Sequence, residues 1–312
     1  MTWLVTGGAG YIGSHVIRAL QGYGLQVTVL DDLSSGFKQR IPEGIQLIEG
    51  DIRDSRKLNI LMKNMKLDGV INLAALKSVE ESELKPAIYY EINSNAVEQL
   101  LSLCEKFGIR KFIQSSTAAV YGNFSGDFVK ENDSPHPESI YGKSKLKAEE
   151  ALNRKKINNN FAGTNLRYFN VLGSSDSLLR DTSKENLVPN VLMRLSQGKA
   201  PIIFGDDYDT PDGSCVRDYV HVEDIARAHL CAVIKLETAR LPPAINIGTG
   251  RGYSVKEIIA IISRLVGTDI SPVVGKRRKG DLAKIIADVK LAAEQLDFES
   301  KRSLEDMIST SI

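Results

Sequence analysis

The sequence predicts a doubly wound α/β fold, a parallel Rossmann sheet joined to a smaller, interleaved C-terminal substrate lobe. Three observations carry that expectation. Short runs rich in valine, isoleucine and leucine alternate with longer amphipathic segments. The runs are almost continuously apolar, as strands covered on both faces are, rather than apolar at every second residue. A glycine-rich turn falls between the first apolar run and the first amphipathic segment, where doubly wound proteins bind nucleotides.

Taken in order, the first strand is WLV (3–5), and TGGAGYIGSH follows it. Gly7, Gly10 and Gly13 form GxxGxxG before a helix expected over 11–22. Such a turn needs glycine for its tight bend, for close approach of a pyrophosphate to the backbone, and for packing of helix on strand. The helix N-terminus then offers free N–H groups to the phosphates. The second strand, QVTVLD (26–31), ends at Asp31 and Asp32, eighteen residues beyond Gly13. A carboxylate there accepts hydrogen bonds from a ribose 2′-hydroxyl and repels a 2′-phosphate, which favours NAD over NADP; a solvated turn carboxylate is the plainer alternative. The third strand, IQLIEGD (45–51), places Asp51 and Ile52 where adenine contacts fall.

A helix over 54–65, the strand GVINLA (69–74) and a helix over 86–107 lead to KFIQSS (111–116). Ser115, Ser116 and Thr117 stand at the carboxyl end of that strand, on the crevice side of an open sheet. A hydroxyl there either binds a substrate oxygen or caps the next turn. The helix over 141–155 opens with YGKSK. Tyr141 and Lys145 are four residues apart and share one helix face, so the lysine ammonium is expected beside the phenolate that Tyr141 would form. An ammonium and a cationic nicotinamide ring both favour the phenolate and lower a pKa that is otherwise near 10, as a general base requires. Alone, the same spacing also describes a solvated helix face.

The strand GTNLRYFNV (163–171) closes the first domain, expected over 1–172 with 220–250 returning to it. Helices over 187–197, 222–235 and 254–266 and the strand AINIGTG (244–250) follow. Two turn-rich stretches, SSDSLLRDTSKEN and FGDDYDTPDGS, read as surface loops. Residues 173–219 and 251–312 are expected to form the second lobe.

Composition narrows the function. Forty basic against thirty-nine acidic residues give no field for a nucleic acid or an anionic membrane. No apolar stretch reaches membrane-spanning length, and no leader pattern precedes the first strand, so a cytoplasmic protein is expected. Cys104, Cys215 and Cys231 follow no CxxC spacing and read as reduced thiols. His15, His136, His221 and His229 lack metal-ligand spacing, and no metal is expected.

The stretches VTGGAGYIGSH, GDIRD, AALKSVEES, SSTAAVYG, YGKSKLKAEE, LRYFNVLG, IFGDDYDTPDGSCVRDYVHVEDIA and RRKGDLAKIIAD resemble the extended short-chain dehydrogenase/reductase superfamily and, within it, the UDP-glucose 4-epimerases. The likeness spans nearly the whole chain. It implies that NAD is contacted by Gly7, Gly10, Tyr11, Ile12, Gly13, Asp31, Asp51, Ile52, Lys77, Asn93 and Tyr168, with Tyr141 and Lys145 also touching it. It implies Tyr141 as base, Lys145 as its partner and Thr117 as the group orienting a sugar 4-hydroxyl. Asn170, Asn186, Leu187, Phe204, Arg217, Tyr219, Arg278 and Asp281 would line a UDP-sugar site. Arginine suits a diphosphate through charge and paired donors.

The implied reaction removes the 4-hydroxyl proton as C4 passes hydride to NAD⁺, turns the 4-ketosugar about its diphosphate linkage, and returns the hydride to the other face. Nucleotide-sugar dehydratases and decarboxylases need a further acid or base directly after the strand-end hydroxyl, where this chain has Ala118 and Ala119. Ile285 stands where the family tunes which sugars fit, leaving N-acetylhexosamines and pentoses as alternative substrates; a non-catalytic sugar-nucleotide-binding protein is the alternative from another class. The resemblance also implies a homodimer through helices 86–107 and 141–155. The segment between Asn170 and Asn186 and the stretch after SLEDMI are shorter than the family pattern.

Overall fold

The computed structural model describes residues 1–158, 161–278 and 281–312; Lys279 and Gly280, within the RRKGDLAKIIAD segment, lie outside them. Its central sheet has seven strands, all parallel. They are β1 (Thr2–Thr6), β2 (Gln26–Asp31), β3 (Gln46–Glu49), β4 (Gly69–Asn72), β5 (Lys111–Thr117), β6 (Ala162–Tyr168) and, from much later in the chain, β10 (Ala244–Ile247). The spatial order is β10-β6-β5-β4-β1-β2-β3. The chain therefore runs outward from β1 through β2 to β3, then restarts on the other side of β1 with β4. That reversal opens a crevice at the carboxyl ends of β1 and β4.

Strand alternation explains the two layers. In β1, Trp3 and Val5 point into one core with Val16, Ile17 and Leu20 of α1 (Tyr11–Gly22) and with Ile225 and Ala228 of α8 (Val222–Lys235). Leu4, between them, points into the other core. There it meets α2 (Ser55–Asn64), α5 (Ala96–Lys106) and α6 (Ile140–Asn158) through Leu58, Leu100 and Leu152. Both faces being covered is the physical reason these strands carry no polar alternation.

Two expectations change in detail. The helix expected over 86–107 is three pieces: α4 (Pro86–Tyr90), one π turn (Glu91–Asn95) and α5. The π turn brings in Asn93, whose amide nitrogen donates to Leu76 O and to Ser144 Oγ while its oxygen accepts from Leu76 N. A widened turn that admits a buried polar anchor is a recognised use of π geometry. Before these, α3 (Val79–Leu84) is an additional short helix, capped by Ser78. The strand expected over 163–171 also divides. β6 ends at Tyr168, Phe169 N still donates to Ile247 O, and Asn170–Leu172 becomes β7 in a different sheet.

That second sheet centres on β9 (Val216–His221). It pairs with β7 in parallel, with β11 (Gly252–Ser254) antiparallel, and with β13 (Lys284–Ile285) in parallel. A two-stranded ribbon of β8 (Ile202–Phe204) and β12 (Val273–Gly275) lies beside it in the chain. α7 (Leu187–Ser196), α9 (Val255–Val266) and α11 (Leu304–Ser309) supply Val188, Val191, Ile258, Ile262 and Ile308 to a separate core. α9 starts with a capping box between Ser254 and Glu257, which satisfies two otherwise orphaned backbone donors. α10 (Lys290–Leu296) returns to the first layer through Ala292 and Leu296.

Strand registers form a continuous path between the sheets. Thr117 on β5 is opposite Tyr168 on β6, Asn170 follows and is opposite Tyr219 on β9, and Arg217, two residues back, is opposite Ile285 on β13. The hydroxyl at the end of β5 is thereby tied by backbone pairing to the arginine of the second lobe.

Candidate active site

The glycine turn comes first because β1 positions it. Gly7 has φ +72°, the left-handed region that a side chain rarely adopts, and a Cβ there would lie 2.6 Å from Ala74 N. At Gly13 a Cβ would lie 2.1 Å from Gly7 O, so helix α1 can approach the turn only without one. Gly10 is different: a Cβ there would meet only Gly7 O, at 3.3 Å. The protein's own packing makes a weak demand for glycine at Gly10, whereas a pyrophosphate lying on the backbone makes a strong one. α1 has no side-chain cap and no acidic residue in its first turn, leaving its N–H groups for an anion. These features fit a dinucleotide. Gly13→Ala is expected to destabilise by about 1–3 kcal/mol through overpacking and to strip bound NAD, checked by thermal melting and by cofactor absorbance of the purified protein.

Asp31 ends β2 and is buried. Its Oδ2 accepts from Ala9 N at 2.9 Å and its Oδ1 from Leu33 N at 2.9 Å. Burial raises its pKa, and the two backbone bonds oppose that rise. A carboxylate so placed, with lone pairs remaining, suits a ribose diol. Ile12 packs partly buried against the first core. Ile52 is buried. Asp51 pairs with Arg53, which donates from Nε to Oδ1 and Oδ2 and from Nη2 to Oδ2 at 2.6 Å; its side chain stays 30% exposed, with lone pairs remaining on its oxygens.

Tyr11 donates to Gly173 O at 2.6 Å. Tyr168 is buried with its hydroxyl bonded to His229 Nε2 at 2.7 Å, so the hydroxyl is already engaged by a helix on one face of the sheet. Both tyrosines therefore do structural work in this protein whatever else they touch.

Helix α6, which carries Tyr141 and Lys145, is seated by Gly142, a residue sequence reasoning missed. A Cβ at Gly142 would lie 2.5 Å from Ala119 O, so α6 can close on the turn after β5 only with glycine there. Tyr141 N donates to Ser82 Oγ and Ile140 N to Glu83 Oε1, fixing the helix start. Burial raises the pKa of the Tyr141 phenol, and the neighbouring Thr117 side chain opposes that rise. Thr117 Oγ1 accepts from Ala119 N at 3.2 Å. The two readings of that hydroxyl, substrate-facing group and turn cap, are thus compatible.

Lys145 stands one turn along the same helix face. Its ammonium does not hydrogen-bond to the Tyr141 phenol; it donates to Ser115 O at 3.1 Å and Ser115 Oγ at 3.2 Å. Helix spacing sets the shared face, but the neighbouring strand decides where a long side chain ends. One turn further, Glu149 accepts from Ser116 Oγ and from Arg167 Nε and Nη2, at 2.5, 3.0 and 2.7 Å. Lys145 is 4% exposed, and burial lowers its pKa to about 8 while the Glu149 carboxylate raises it. The sign of the linkage follows. Between about 8 and 10.5 the unfolded chain holds the Lys145 proton and the folded chain has lost it, so stability rises with pH in that window. The rise, at most about 1.4 kcal/mol per pH unit, is expected to shrink in Lys145→Met when denaturant midpoints of the two cofactor-free proteins are compared from pH 7 to 10.

On the second lobe, Arg217 donates from Nη1 to Leu282 O at 2.6 Å and pairs through Nη2 with Asp281 Oδ1 at 3.5 Å. The Arg278 guanidinium lies 3.8 Å from the centre of the Phe204 ring, a stacking that fixes its plane. Asn170 is exposed and Tyr219 buried on the paired strands. Asn186 caps the start of α7 at Leu187 and donates to Asp181 Oδ2 at 2.5 Å. Lys77 pairs with the same aspartate at 3.7 Å. Ile285 is 6% exposed, packed with Ala118 and Leu282.

The stretch 173–186, expected as a surface loop, is a strap held on the first domain. Arg40 donates to Leu178 O and Arg180 O, and His15 Nε2 accepts from Ser175 N. Buried arginine and histidine side chains satisfy its backbone, the physical reason a polar sequence lies flat here. Neither Arg40 nor Asp181 carries a signal in the sequence.

A nucleotide crevice at a topological switch point, Thr117 beside the Tyr141 phenol at the adjoining strand end and an arginine stacked on Phe204 in the second lobe define a dinucleotide-dependent enzyme of sugar nucleotides. The chain belongs to the NAD dependent epimerase/dehydratase family, whose model matches residues 3–248. It is 38% identical to a UDP-glucose 4-epimerase of Azospirillum brasilense, over 99% of this chain and 90% of that protein. Two solved structures of UDP-glucose 4-epimerases superpose with a TM-score of 0.94. One, from Brucella ovis in complex with NAD, is 38% identical and covers 99% of this chain and 97% of its own. The other, from Stenotrophomonas maltophila with bound NAD and formylated UDP-arabinopyranose, is 34% identical, with 100% and 96% covered.

Proposed function

We propose that this protein is an NAD-dependent epimerase that inverts C4 of a UDP-hexose, interconverting UDP-glucose and UDP-galactose. The observation that carries the reading is the placing of Thr117 next to the Tyr141 phenol at the carboxyl end of β5, followed by two alanines with no acid or base. Relatives that carry this activity, one of them holding NAD and a UDP-sugar derivative, support it.

Bound NAD⁺ supplies a reversible hydride acceptor. The chain's own residues do the rest. Thr117 orients the sugar 4-hydroxyl, and Tyr141 removes its proton and later restores it. Lys145 favours the phenolate form by its charge and holds the strand end through Ser115. Gly7, Gly10 and Gly13 leave room for the pyrophosphate, and Asp31 takes the adenine ribose. Arg217 and Arg278 bind the diphosphate, Asp281 the uridine ribose, and Phe204, Asn170, Asn186 and Leu187 complete the pocket. Anchoring by the distant UDP moiety lets the oxidised sugar turn over while remaining bound, so binding energy far from C4 serves the step at C4.

The protein acts as a homodimer in the cytoplasm in this reading, paired through the adjoining helices α5 and α6; its cysteines are free. The test is a panel of UDP-galactose, UDP-glucose, UDP-N-acetylglucosamine and UDP-pentoses. Interconversion of the first pair without added cofactor is expected; conversion only of the N-acetylated or pentose sugars would replace the substrate assignment, and no conversion with NAD bound would sink the epimerase reading.

A further inference from the structure

One side chain joins the two halves of the crevice. Asp181 lies on the strap between β7 and α7, and its side chain is 10% exposed. Oδ1 accepts from Ser183 N at 3.0 Å and faces Lys77 Nζ at 3.7 Å; Oδ2 accepts from Asn186 Nδ2 at 2.5 Å. The partners belong to different bodies. Lys77 follows β4 on the loop that begins at Leu73 and Ala74, the backbone that packs on Gly7. Asn186 caps α7, whose Val188 and Val191 are core residues of the second lobe. The strap backbone is held to the first domain by Arg40 and His15, and the Asp181 side chain bridges a cofactor-side lysine and a substrate-side asparagine.

We propose that Asp181 is a positioning residue that couples the two ligand sites, so that the uridine diphosphate moiety and the dinucleotide each slow the other's loss. This rests on the NAD contact that the family resemblance implies for Lys77 and on the pocket role proposed above for Asn186. The Lys77 side chain is 55% exposed, and a long flexible ammonium loses rotamer freedom when held in one place. A ligand that orders Asn186 fixes the carboxylate, and the fixed carboxylate holds Lys77 over the dinucleotide; the ordering is already complete when the second ligand binds. By linkage the effect is reciprocal.

The experiment follows release of NAD from the purified holoprotein, trapped by an NAD-hydrolysing enzyme, with and without saturating UDP. The ratio of the two rates is the readout, which a merely structural role would not move. Couplings of this kind span about 5–150-fold. In the natural protein UDP is expected to slow release about tenfold or more. In Asp181→Asn the ratio is expected to fall to within about twofold of one, and in Asp181→Glu to recover in part. Should Asp181→Asn fail to fold, Lys77→Met, at an exposed side chain, carries the same expectation. An unchanged ratio in whichever of these variants folds, or no UDP effect in the natural protein, overturns the coupling while leaving the epimerase reading in place. A protein that retains no NAD or binds no UDP overturns both.

Discussion

Tyr141→Phe is expected to lower the rate of UDP-galactose conversion by about 10²–10⁴-fold, the range that a positioned general base contributes, with folding and bound NAD unaffected. The phenyl ring keeps the packing of the α6 start, because Tyr141 N, not its hydroxyl, bonds to Ser82. What is lost is the phenol oxygen, the group that would carry the proton. In the cofactor-free protein burial raises the Tyr141 pKa, so the phenol stays protonated at neutral pH. In the proposed mechanism the base becomes competent only when positive charge adjoins it, from Lys145 and from the nicotinamide of bound NAD⁺. The measurement is kcat together with KM. A fall in kcat with KM nearly unchanged supports the assignment; near-full kcat removes Tyr141 as the base.

Arg217→Lys is expected to raise KM for the UDP-sugar by about 10–100-fold while kcat falls much less. A hydrogen bond to a charged group contributes about 1.5–3 kcal/mol, and lysine cannot reproduce the planar fork of arginine. Arg217 is well placed for this cost because its guanidinium is already oriented: Nη1 is held by Leu282 O and Nη2 faces Asp281, so little ordering entropy remains to be lost on binding. The outcome that contradicts the placement is a KM within about twofold of the natural protein with UDP inhibition unchanged.

The fold was largely legible because its signals are collective. Strands buried on both faces, β1, β2 and β4 above all, give nearly continuous apolar runs, and the glycine turn sits at a fixed place between β1 and α1. The second lobe was not, because β8, β11 and β12 have three residues each, too short to show any period. The expected strand over 163–171 kept its apolar run while the backbone changed sheets at Phe169, a switch set by pairing with β9 rather than by local propensity. In the site, helix spacing put Tyr141 and Lys145 on one face but could not reveal that Ser115 would take the ammonium. Gly142 was hidden because its reason is Ala119 O, across the site. Arg217, Arg278 and Asp281 read from the residues alone as ordinary loop charges; only the family resemblance singled them out, and the structure then placed Arg278 on Phe204 and Arg217 beside Asp281. Asp181 matters through partners about a hundred residues upstream and five downstream in sequence, a juxtaposition only the fold creates.

The central claim, inversion at C4 by removal and return of the same hydrogen, is tested most directly with UDP-galactose deuterated at C4. The purified protein, given no added cofactor, is expected to form UDP-glucose with the deuterium still on C4. Loss of the label to solvent, or no UDP-glucose from a protein that carries NAD, contradicts the account.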